Sequence, residues 1–389
     1  MKVVSILGST GSIGKSTLDV LRLDRINFKV FALSCHSNIK LLARQTIEFQ
    51  PDIIVVNSAN DREVILTYLE GKANPDILFG PNGHKTIVEA DEVTDVVAAI
   101  SGAAGLTSTY HAALKGKRIL LANKESMVMA GSLIMRQAEL NHGLIIPIDS
   151  EHNAIFQVLN GARDNKAIQK IILTASGGPF RSFSAEMIKE VTVEQALKHP
   201  KWSMGRKISI DSATMMNKGL EVIEASFLFQ LPAEKIEVVI HPQSIVHSFV
   251  EFVDGSLLTQ LGCPDMRVPI SFALGYPERI PSGVQGINLT KHESLSFSNP
   301  NHALFPCLNL AYQALEAGQA SCVALNAANE IAVEAFLECA IGFMQIHEVI
   351  AEVMEGVIPQ TNDELDAIID LDKNIRILSH KIIAQRVKS

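Results

Sequence analysis

The sequence has few cysteines, and they are not spaced for metal binding. Its 389 residues include five cysteines, an odd number, and no two of them form a CxxC pair. This pattern speaks against a disulfide framework and against a cysteine-rich zinc site. It is typical of a protein from a reducing compartment.

Long apolar runs and clusters of basic residues are also missing. The most apolar window, residues 96–106, is broken by Ser101, Gly102 and Gly105 and is too short to span a bilayer. A strand-like run begins at residue 3, which leaves no room for a secretory leader, so we expect a cytoplasmic protein. The 34 basic and 42 acidic residues give a net charge of −8. We therefore expect neither a nucleic-acid partner nor a membrane partner.

The first 150 residues alternate between short β-rich runs and helical patterns. Helices are expected at residues 16–23 and 38–49, among others, and strands at 3–7, 28–33, 53–56, 77–79, 95–100, 119–122 and 144–148. Such alternation predicts an α/β fold with a mainly parallel, doubly wound sheet. Ligands bind to such sheets at the carboxyl ends of the strands.

The remaining sequence predicts a second α/β region and a helical tail. One long helix is expected at residues 212–229, and strands with partly antiparallel pairing are expected at 170–175, 237–240, 245–253 and 257–261. Three prolines mark a connector, and the pattern is helical from residue 302 onward. We therefore divide the chain at residues 1–149, 150–275, 276–300 and 301–389.

A glycine-rich turn, Gly8-Ser9-Thr10-Gly11-Ser12-Ile13-Gly14, joins the first strand to the first helix. Glycine lets the backbone approach a pyrophosphate closely, and a helix N-terminus supplies free N–H groups and about half a positive charge. The spacing is GxxGxxG rather than the commoner GxGxxG, and a plain strand-to-helix turn is the alternative. The position at the first βα turn favours dinucleotide binding.

The second strand ends without an acidic residue, in the run Ser34-Cys35-His36-Ser37-Asn38. A site for NAD usually carries an acid there, which binds the 2′-hydroxyl of the ribose. The sequence therefore favours NADPH, with its 2′-phosphate bound by His36, Ser37 or Asn38. The alternative is that Ser37 or Asn38 only caps the next helix.

Asp149-Ser150-Glu151 closes the last strand of the first region. Residues i and i+2 of a strand project to the same side, so we expect the two carboxylates to repel each other unless a cation or a proton lies between them. Oxygen ligands favour Mg²⁺ or Mn²⁺ over zinc. The alternative is that the acid pair caps the following helix.

Two further motifs offer groups for a phosphorylated ligand. On a helix, Asn217, Lys218 and Glu221 share one face, which combines an amide, an ammonium and a carboxylate. The alternative is a surface ion pair. Ser176-Gly177-Gly178 offers a hydroxyl and backbone N–H groups to an anion, and the alternative is a tight turn before Pro179.

Two more segments have both a functional and a structural interpretation. Asn123-Lys124-Glu125 follows a predicted parallel strand, where polar groups bind ligands or cap a helix. Trp202, the only tryptophan, lies between Pro200 and Gly205. Either its loop is a lid that covers a ligand, or the tryptophan is an ordinary buried anchor of the core.

Taken in order, these motifs resemble those of the 1-deoxy-D-xylulose 5-phosphate reductoisomerase family. The likeness runs through nearly the whole chain and rests on Gly8–Gly14, Asn123-Lys124-Glu125, Asp149-Ser150-Glu151, Ser176-Gly177-Gly178-Pro179-Phe180, His199-Pro200-Lys201-Trp202-Ser203-Met204-Gly205 and Asn217-Lys218-Gly219-Leu220-Glu221. It implies an enzyme that uses NADPH to convert 1-deoxy-D-xylulose 5-phosphate into 2-C-methyl-D-erythritol 4-phosphate for isoprenoid precursor synthesis. It also implies a homodimer with a Rossmann-like NADPH domain, a central catalytic domain and a C-terminal helical domain.

The resemblance implies a role for each matching residue. The NADPH contacts would be Thr10, Gly11, Ser12, Ile13, Asn123, Glu125 and Gly205. One divalent ion, Mg²⁺ or Mn²⁺, would be bound by Asp149, Glu151 and Glu221. The substrate would contact these last two acids and Lys124, Ser150, Ser176, His199, Ser212, Asn217 and Lys218, with Lys124 also acting in catalysis. Trp202 and Met204 would belong to a closing flap.

One departure and two alternatives remain at this point. The family often has Gly-Lys-Asn after the second strand, whereas this chain has His36-Ser37-Asn38, so weaker binding of the 2′-phosphate is expected. Another NADP-dependent oxidoreductase, such as a semialdehyde or homoserine dehydrogenase, would need no divalent metal. A non-enzymatic NADP-binding regulator would leave Asp149, Glu151, Glu221 and Lys218 without a use.

Overall fold

Strands and helices alternate in the first part of the chain. The computed structural model describes residues 1–159, 165–199, 204–291, 294–357 and 364–386. The strands up to residue 159 are β1 (Lys2–Leu7), β2 (Phe28–Ser34), β3 (Ile53–Val56), β4 (Asp76–Phe79), β5 (Asp95–Ala98), β6 (Arg118–Leu121) and β7 (Leu144–Pro147). The helices are α1 (Ser12–Leu23), α2 (Ile39–Phe49), α3 (Asp61–Leu69), α4 (Gly80–Glu89), α5 (Leu106–Leu114), α6 (Lys124–Leu140) and α7 (Ser150–Leu159). The strands predicted here from the sequence are confirmed.

The second part of the chain contains fewer strands and longer helices. The strands are β8 (Ile168–Ala175), β9 (Ile236–Ile240), β10 (Val246–Phe252) and β11 (Leu257–Leu261). The helices are α8 (Ala185–Lys189), α9 (Val193–Ala196), α10 (Arg206–Ala213), α11 (Met216–Phe229), α12 (Arg267–Gly275), α13 (Cys307–Ala317), α14 (Gln319–Leu337), α15 (Gln345–Glu355) and α16 (Leu365–Arg386). The predicted helical tail is confirmed. The prediction of one helix at residues 212–229 is wrong, because Met215 adopts a left-handed φ of 63° and separates α10 from α11.

Two compact units are formed by these elements. Unit 1 comprises Met1–Ser126, Leu133–Asn153 and Asp265–Gln285, and unit 2 comprises Met127–Ser132, Ala154–Pro264 and Gly286–Ser389. The four-part division made from the sequence is finer than this and stays a prediction. It differs at α12, which was assigned to the central part but belongs to unit 1.

Unit 1 is built on a seven-stranded parallel sheet with the order β4-β3-β2-β1-β5-β6-β7. The chain moves outward in one direction from β1 to β4 and then in the other direction from β5 to β7, so the sheet is doubly wound. Such a sheet has its ligand crevice at the carboxyl ends of the strands where the order reverses, here β1 and β5. Lys2 fixes α12 to this unit by donating hydrogen bonds to the carbonyl oxygens of Leu274 (2.6 Å) and Gly275 (3.2 Å).

Unit 2 contains a four-stranded sheet with the order β11-β10-β8-β9, in which β8 and β9 are parallel and the other pairs are antiparallel. Residues from α11, α13 and α14 share one apolar core with residues from this sheet. In the part of the chain that the structure describes, α14 is the one helix long and apolar enough to cross a membrane. However, 83% of its apolar window is buried, as in the core helix of a globular protein.

Candidate active site

Two positions in the glycine-rich turn of unit 1 require glycine. Gly8 has a φ of 73°, and a Cβ atom there would lie 2.7 Å from the carbonyl oxygen of Ala99. A Cβ atom on Gly14 would collide with the backbone of Ser9, so α1 starts directly against the turn. Gly11 is the N-cap of α1 and has no side chain with which to occupy the first N–H groups of the helix. This end of α1 is suited to an anion.

The turn is held in place by two polar residues, Ser34 and Gln45, for which the sequence predicted no such role. The N–H of Gly8 donates to Ser34 Oγ (2.9 Å), and the N–H of Ser9 donates to the Ser34 carbonyl oxygen (2.8 Å). Gln45 of α2 makes a reciprocal pair with Ser9: Ser9 Oγ donates to Gln45 Oε1 (2.8 Å), and Gln45 Nε2 donates to the Ser9 carbonyl oxygen (2.9 Å). A glutamine on the buried face of an amphipathic helix was the available signal for Gln45.

After the second strand, His36, Ser37 and Asn38 are exposed. Asn38 caps α2, because its Oδ1 accepts a hydrogen bond from the N–H of Leu41 (3.2 Å). The capping interpretation is therefore confirmed for Asn38, and contact with a 2′-phosphate stays a prediction. Burial lowers the pKa of His84, and the charge of His36 lowers it further.

Asn123 also has the structural role that was its alternative. It caps α6 by accepting a hydrogen bond from the N–H of Ser126 (2.9 Å), and its Nδ2 donates to the carbonyl oxygen of Ile100 (2.6 Å). Asn123 Nδ2 also lies 3.0 Å from the Glu125 carboxylate. This network fixes the end of β6 to the loop after β5. The roles of Asn123 and Glu125 toward NADPH stay predictions.

The structure brings Lys124 and Asp149 together at the carboxyl ends of β6 and β7. Lys124 is buried, and its Nζ lies 2.6 Å from Asp149 Oδ2. The prediction that Asp149 and Glu151 share a strand face is wrong, because β7 ends at Pro147 and α7 begins at Ser150. The N–H of Asn153 donates to the Asp149 carbonyl oxygen (2.8 Å), as expected for the first turn of a helix.

Helix α7 therefore explains the position of this acidic pair. Asp149 immediately precedes the helix, and Glu151 lies in its first turn, where the helix dipole favours negative charge. Ser150 Oγ donates a hydrogen bond to Glu151 Oε2. Both carboxylates belong to unit 1, whereas Glu221 belongs to unit 2.

In unit 2, the loop after β8 brings Ser176 and His199 together. Ser176 Oγ lies 3.0 Å from His199 Nε2 and accepts a hydrogen bond from the N–H of Gly178 (3.2 Å). Gly177 and Gly178 have φ values of 80° and 67°, which a residue with a side chain rarely adopts. Burial lowers the pKa of His199, so this imidazole is neutral at neutral pH. The hydroxyl, the imidazole and the glycine backbone form one polar cluster.

Helix α11 adds the second polar cluster of unit 2. Asn217 Nδ2 donates to Glu221 Oε1 (2.5 Å), and Lys218 Nζ forms an ion pair with Glu221 Oε2. The side chains of Lys218 and Glu221 are only 4% and 1% exposed, so the surface ion pair considered from the sequence is excluded. A buried ion pair adds little net stability, which makes a functional role the better explanation.

The segment before α10 is described only in part. Gly205 is the N-cap of α10, and its carbonyl oxygen accepts a hydrogen bond from the N–H of Ser209 (3.1 Å). Met204 is half-buried. Trp202 lies outside the described residues, so the interpretation of its loop as a flap stays a prediction.

Unit 1 has the architecture of a dinucleotide-dependent oxidoreductase, with a glycine-rich βα turn at the switch point of a doubly wound sheet. Family models agree over most of the chain. The model described as 1-deoxy-D-xylulose 5-phosphate reductoisomerase matches residues 4–131. Two further models describe C-terminal domains of this enzyme. The one described as the 1-deoxy-D-xylulose 5-phosphate reductoisomerase C-terminal domain matches residues 145–229, and the one described as the DXP reductoisomerase C-terminal domain matches residues 261–378.

Full-length proteins show the same similarity. The 1-deoxy-D-xylulose 5-phosphate reductoisomerase of Chlorobium phaeobacteroides is 50% identical over 383 residues, which cover 98% of this chain and 99% of that protein. The enzyme of Paraburkholderia xenovorans is 50% identical over 386 residues, which cover 99% of this chain and 96% of the relative. The chain belongs to the 1-deoxy-D-xylulose 5-phosphate reductoisomerase family.

Solved structures of the family have the same fold. A crystal structure of DOX-P reductoisomerase in complex with NADPH, fosmidomycin and magnesium has a TM-score of 0.93 and 46% identity, covering 99% of this chain and 98% of the other. The Zymomonas mobilis enzyme in complex with NADPH has a TM-score of 0.92 and 40% identity, covering 98% of this chain and 99% of the other. Membership of this family overturns both alternatives, the dehydrogenase and the non-enzymatic regulator.

Proposed function

We propose that Asp149, Glu151 and Glu221 bind one divalent metal ion in an enzyme that converts 1-deoxy-D-xylulose 5-phosphate into 2-C-methyl-D-erythritol 4-phosphate with NADPH. The observation that carries this assignment is the buried Glu221 carboxylate, held by Lys218 and Asn217. The three proposed ligands offer only oxygen atoms, the donor type that Mg²⁺ and Mn²⁺ prefer. A related crystal structure contains magnesium.

The surroundings of Asp149 and Glu151 support the same assignment from unit 1. The ion pair with Lys124 (2.6 Å) and the hydrogen bond from Ser150 orient the two carboxylates before any ligand arrives. Such preorganisation lowers the cost of assembling a charged site. When bound, a divalent ion stabilises negative charge on substrate oxygens, and NADPH supplies the hydride. Lys124 would polarise a substrate oxygen or transfer a proton.

The NADPH site is proposed to lie over the glycine-rich turn and the N-terminus of α1. The open N-cap at Gly11 supports binding of the pyrophosphate by Thr10, Gly11, Ser12 and Ile13. The exposed His36 and Ser37 support binding of the 2′-phosphate, and Asn38 would assist from its position as the cap of α2. Further cofactor contacts are proposed for Asn123, Glu125 and Gly205.

The substrate phosphate is proposed to bind in unit 2, at Ser176, His199, Ser212, Asn217 and Lys218. The contact between Ser176 and His199 and the burial of Lys218 support this, because a cation in a low-dielectric environment binds a phosphate strongly. Ser150, Lys124, Glu151 and Glu221 would contact the oxygen-bearing carbons at the other end of the substrate.

The oligomeric state, the cellular location and the closing flap are proposed from the family resemblance. The enzyme would be a cytoplasmic homodimer in which Trp202 and Met204 close over the bound substrate. Light scattering coupled to gel filtration measures the assembly, and a monomer at working enzyme concentration would contradict it.

The proposed function is tested by following NADPH absorbance with 1-deoxy-D-xylulose 5-phosphate after chelation of metal and again after Mg²⁺ or Mn²⁺ is restored. We expect oxidation to stop on chelation and to return with either ion. A dehydrogenase that reduces a carbonyl without a metal would keep its rate throughout. Oxidation that is indifferent to chelation would therefore contradict the assignment.

A further inference from the structure

We propose that Asn329 of α14 is a positioning residue for the phosphate end of the substrate and acts through Asp211 of α10. This inference rests on the proposed function, because it concerns the phosphate site assigned above. Neither residue was singled out from the sequence, and both lie in unit 2.

The link between the two helices is a buried carboxylate with two partners. Asp211 is 1% exposed, and its Oδ1 accepts a hydrogen bond from Asn329 Nδ2 (2.8 Å). Its Oδ2 forms an ion pair with Lys207 Nζ (2.8 Å), which lies on α10 itself. Asn329 is fully buried, and its hydrogen bond connects α14 to α10 through this carboxylate. A buried carboxylate that loses a hydrogen-bond donor is destabilised, so we expect α10 to shift if Asn329 is shortened.

A shift of α10 would be transmitted to the proposed phosphate site. Asp211 directly precedes Ser212, whose carbonyl oxygen packs so closely on Gly178 that a Cβ atom there would lie 2.6 Å away. The N–H of Gly178 in turn donates to Ser176 Oγ (3.2 Å). The left-handed turn at Met215 follows at once and leads into α11. One amide on α14 therefore fixes the turn between the two polar clusters of unit 2.

The test compares Asn329→Ala with Asn326→Ala. Asn326 lies on the same helix and is equally buried, but its Nδ2 donates to Glu330 (3.2 Å) within α14 rather than to a residue of α10. For Asn329→Ala we expect the KM for 1-deoxy-D-xylulose 5-phosphate to rise roughly 10-fold or more, as for a lost charge-assisted hydrogen bond. The dissociation constant of NADPH should not change, and Asn326→Ala should retain the wild-type KM.

A charge exchange separates positioning from mere packing. Asn329→Asp alone places two carboxylates together and should weaken substrate binding, whereas Asn329→Asp combined with Asp211→Asn restores an amide–carboxylate pair and should recover most of the loss. A lower unfolding temperature for Asn329→Ala with an unchanged KM would overturn the proposal. So would an equal rise in KM for Asn326→Ala.

Inorganic phosphate provides a readout that does not depend on turnover. The rise in unfolding temperature with added phosphate measures occupancy of the same site, and we expect Asn329→Ala to need roughly 10-fold more phosphate than Asn326→Ala for the same rise. Equal phosphate requirements would overturn the inference. A wild-type protein that binds phosphate but does not turn over the sugar phosphate would contradict the proposed function alone.

Discussion

Replacing Glu221 with glutamine removes a charge from the proposed metal site while keeping the shape of the side chain. The amide oxygen can still accept a hydrogen bond from Lys218 or Asn217, the present partners of Glu221. The substitution therefore mainly weakens binding of the divalent ion and its stabilisation of charge in the transition state. We expect turnover to fall by roughly 10³-fold, or about 4 kcal/mol of lost transition-state stabilisation.

The same substitution also has a predictable effect on stability. It removes the charge of Glu221 from the ion pair with the Lys218 ammonium, which is 4% exposed. Breaking a buried ion pair costs about 3–5 kcal/mol, and because glutamine still accepts one hydrogen bond we expect the lower end, about 3 kcal/mol less free energy of unfolding. Urea unfolding of the metal-free protein measures this loss.

The assay is NADPH oxidation across a Mn²⁺ titration, with Asp372→Asn as a matched control. Asp372 of α16 is also a largely buried carboxylate with a cationic partner, Arg376 at 2.7 Å, but it is not a proposed ligand. The control should lose stability and keep its turnover. Full wild-type turnover of Glu221→Gln at the metal concentration that saturates the wild type would refute the assignment of Glu221 as a ligand.

Four further predictions concern the cofactor, the phosphate site, pH and the flap. Wild-type kcat/KM should be higher with NADPH than with NADH, and His36→Asp should shift the preference toward NADH because it adds the acid that binds a ribose 2′-hydroxyl; equal wild-type efficiencies would count against a 2′-phosphate site. Lys218→Ala should raise the substrate KM roughly 10–150-fold and leave the NADPH dissociation constant unchanged, and a parallel loss for both ligands would place Lys218 elsewhere. Burial lowers the pKa of His199 from 6.5, so as pH falls the imidazole is protonated in the unfolded state before it is protonated in the folded state. The free energy of unfolding should therefore decrease with acid more steeply in the wild type than in His199→Gln. Identical slopes for the two proteins would contradict this. The fluorescence of Trp202, the only tryptophan, should change when the substrate or a phosphonate analogue is added, and an unchanged spectrum at saturation would favour the core-anchor interpretation.

The sheet of unit 1 could be predicted because its signals are local. Parallel strands covered on both faces are continuous apolar runs, as in Ile53–Val56, and the chain between them has helical periodicity. The break at Met215 could not be predicted, because methionines at 215 and 216 continue the helical pattern and only tertiary packing imposes the left-handed turn. The inclusion of α12 in unit 1 could not be predicted either, because its carbonyl oxygens accept hydrogen bonds from Lys2, some 270 residues earlier in the chain.

The residues proposed to carry the chemistry were selected through motifs in the sequence, whereas those that contact and position them were not. Glu221 and Lys218 are close in sequence, so their shared helix face was visible. Gln45 is hydrogen-bonded to Ser9, 36 residues away in the sequence, and Asn329 is hydrogen-bonded to Asp211, 118 residues away. A buried amide with a distant partner has no local signature that separates it from an exposed one. The error at Asp149 had another cause: β7 ends at Pro147 and α7 begins at Ser150, so the alternation of a strand does not extend to Asp149 and Glu151.

The proposed function requires one active site that both rearranges and reduces the substrate. It is tested most directly by NMR identification of the product after the purified protein is mixed with 1-deoxy-D-xylulose 5-phosphate, NADPH and Mg²⁺. The proposed function predicts 2-C-methyl-D-erythritol 4-phosphate as the product, formed in equal amount to the NADPH consumed and not formed without the metal ion. Consumption of NADPH with an unbranched, simply reduced sugar phosphate as the product would contradict it.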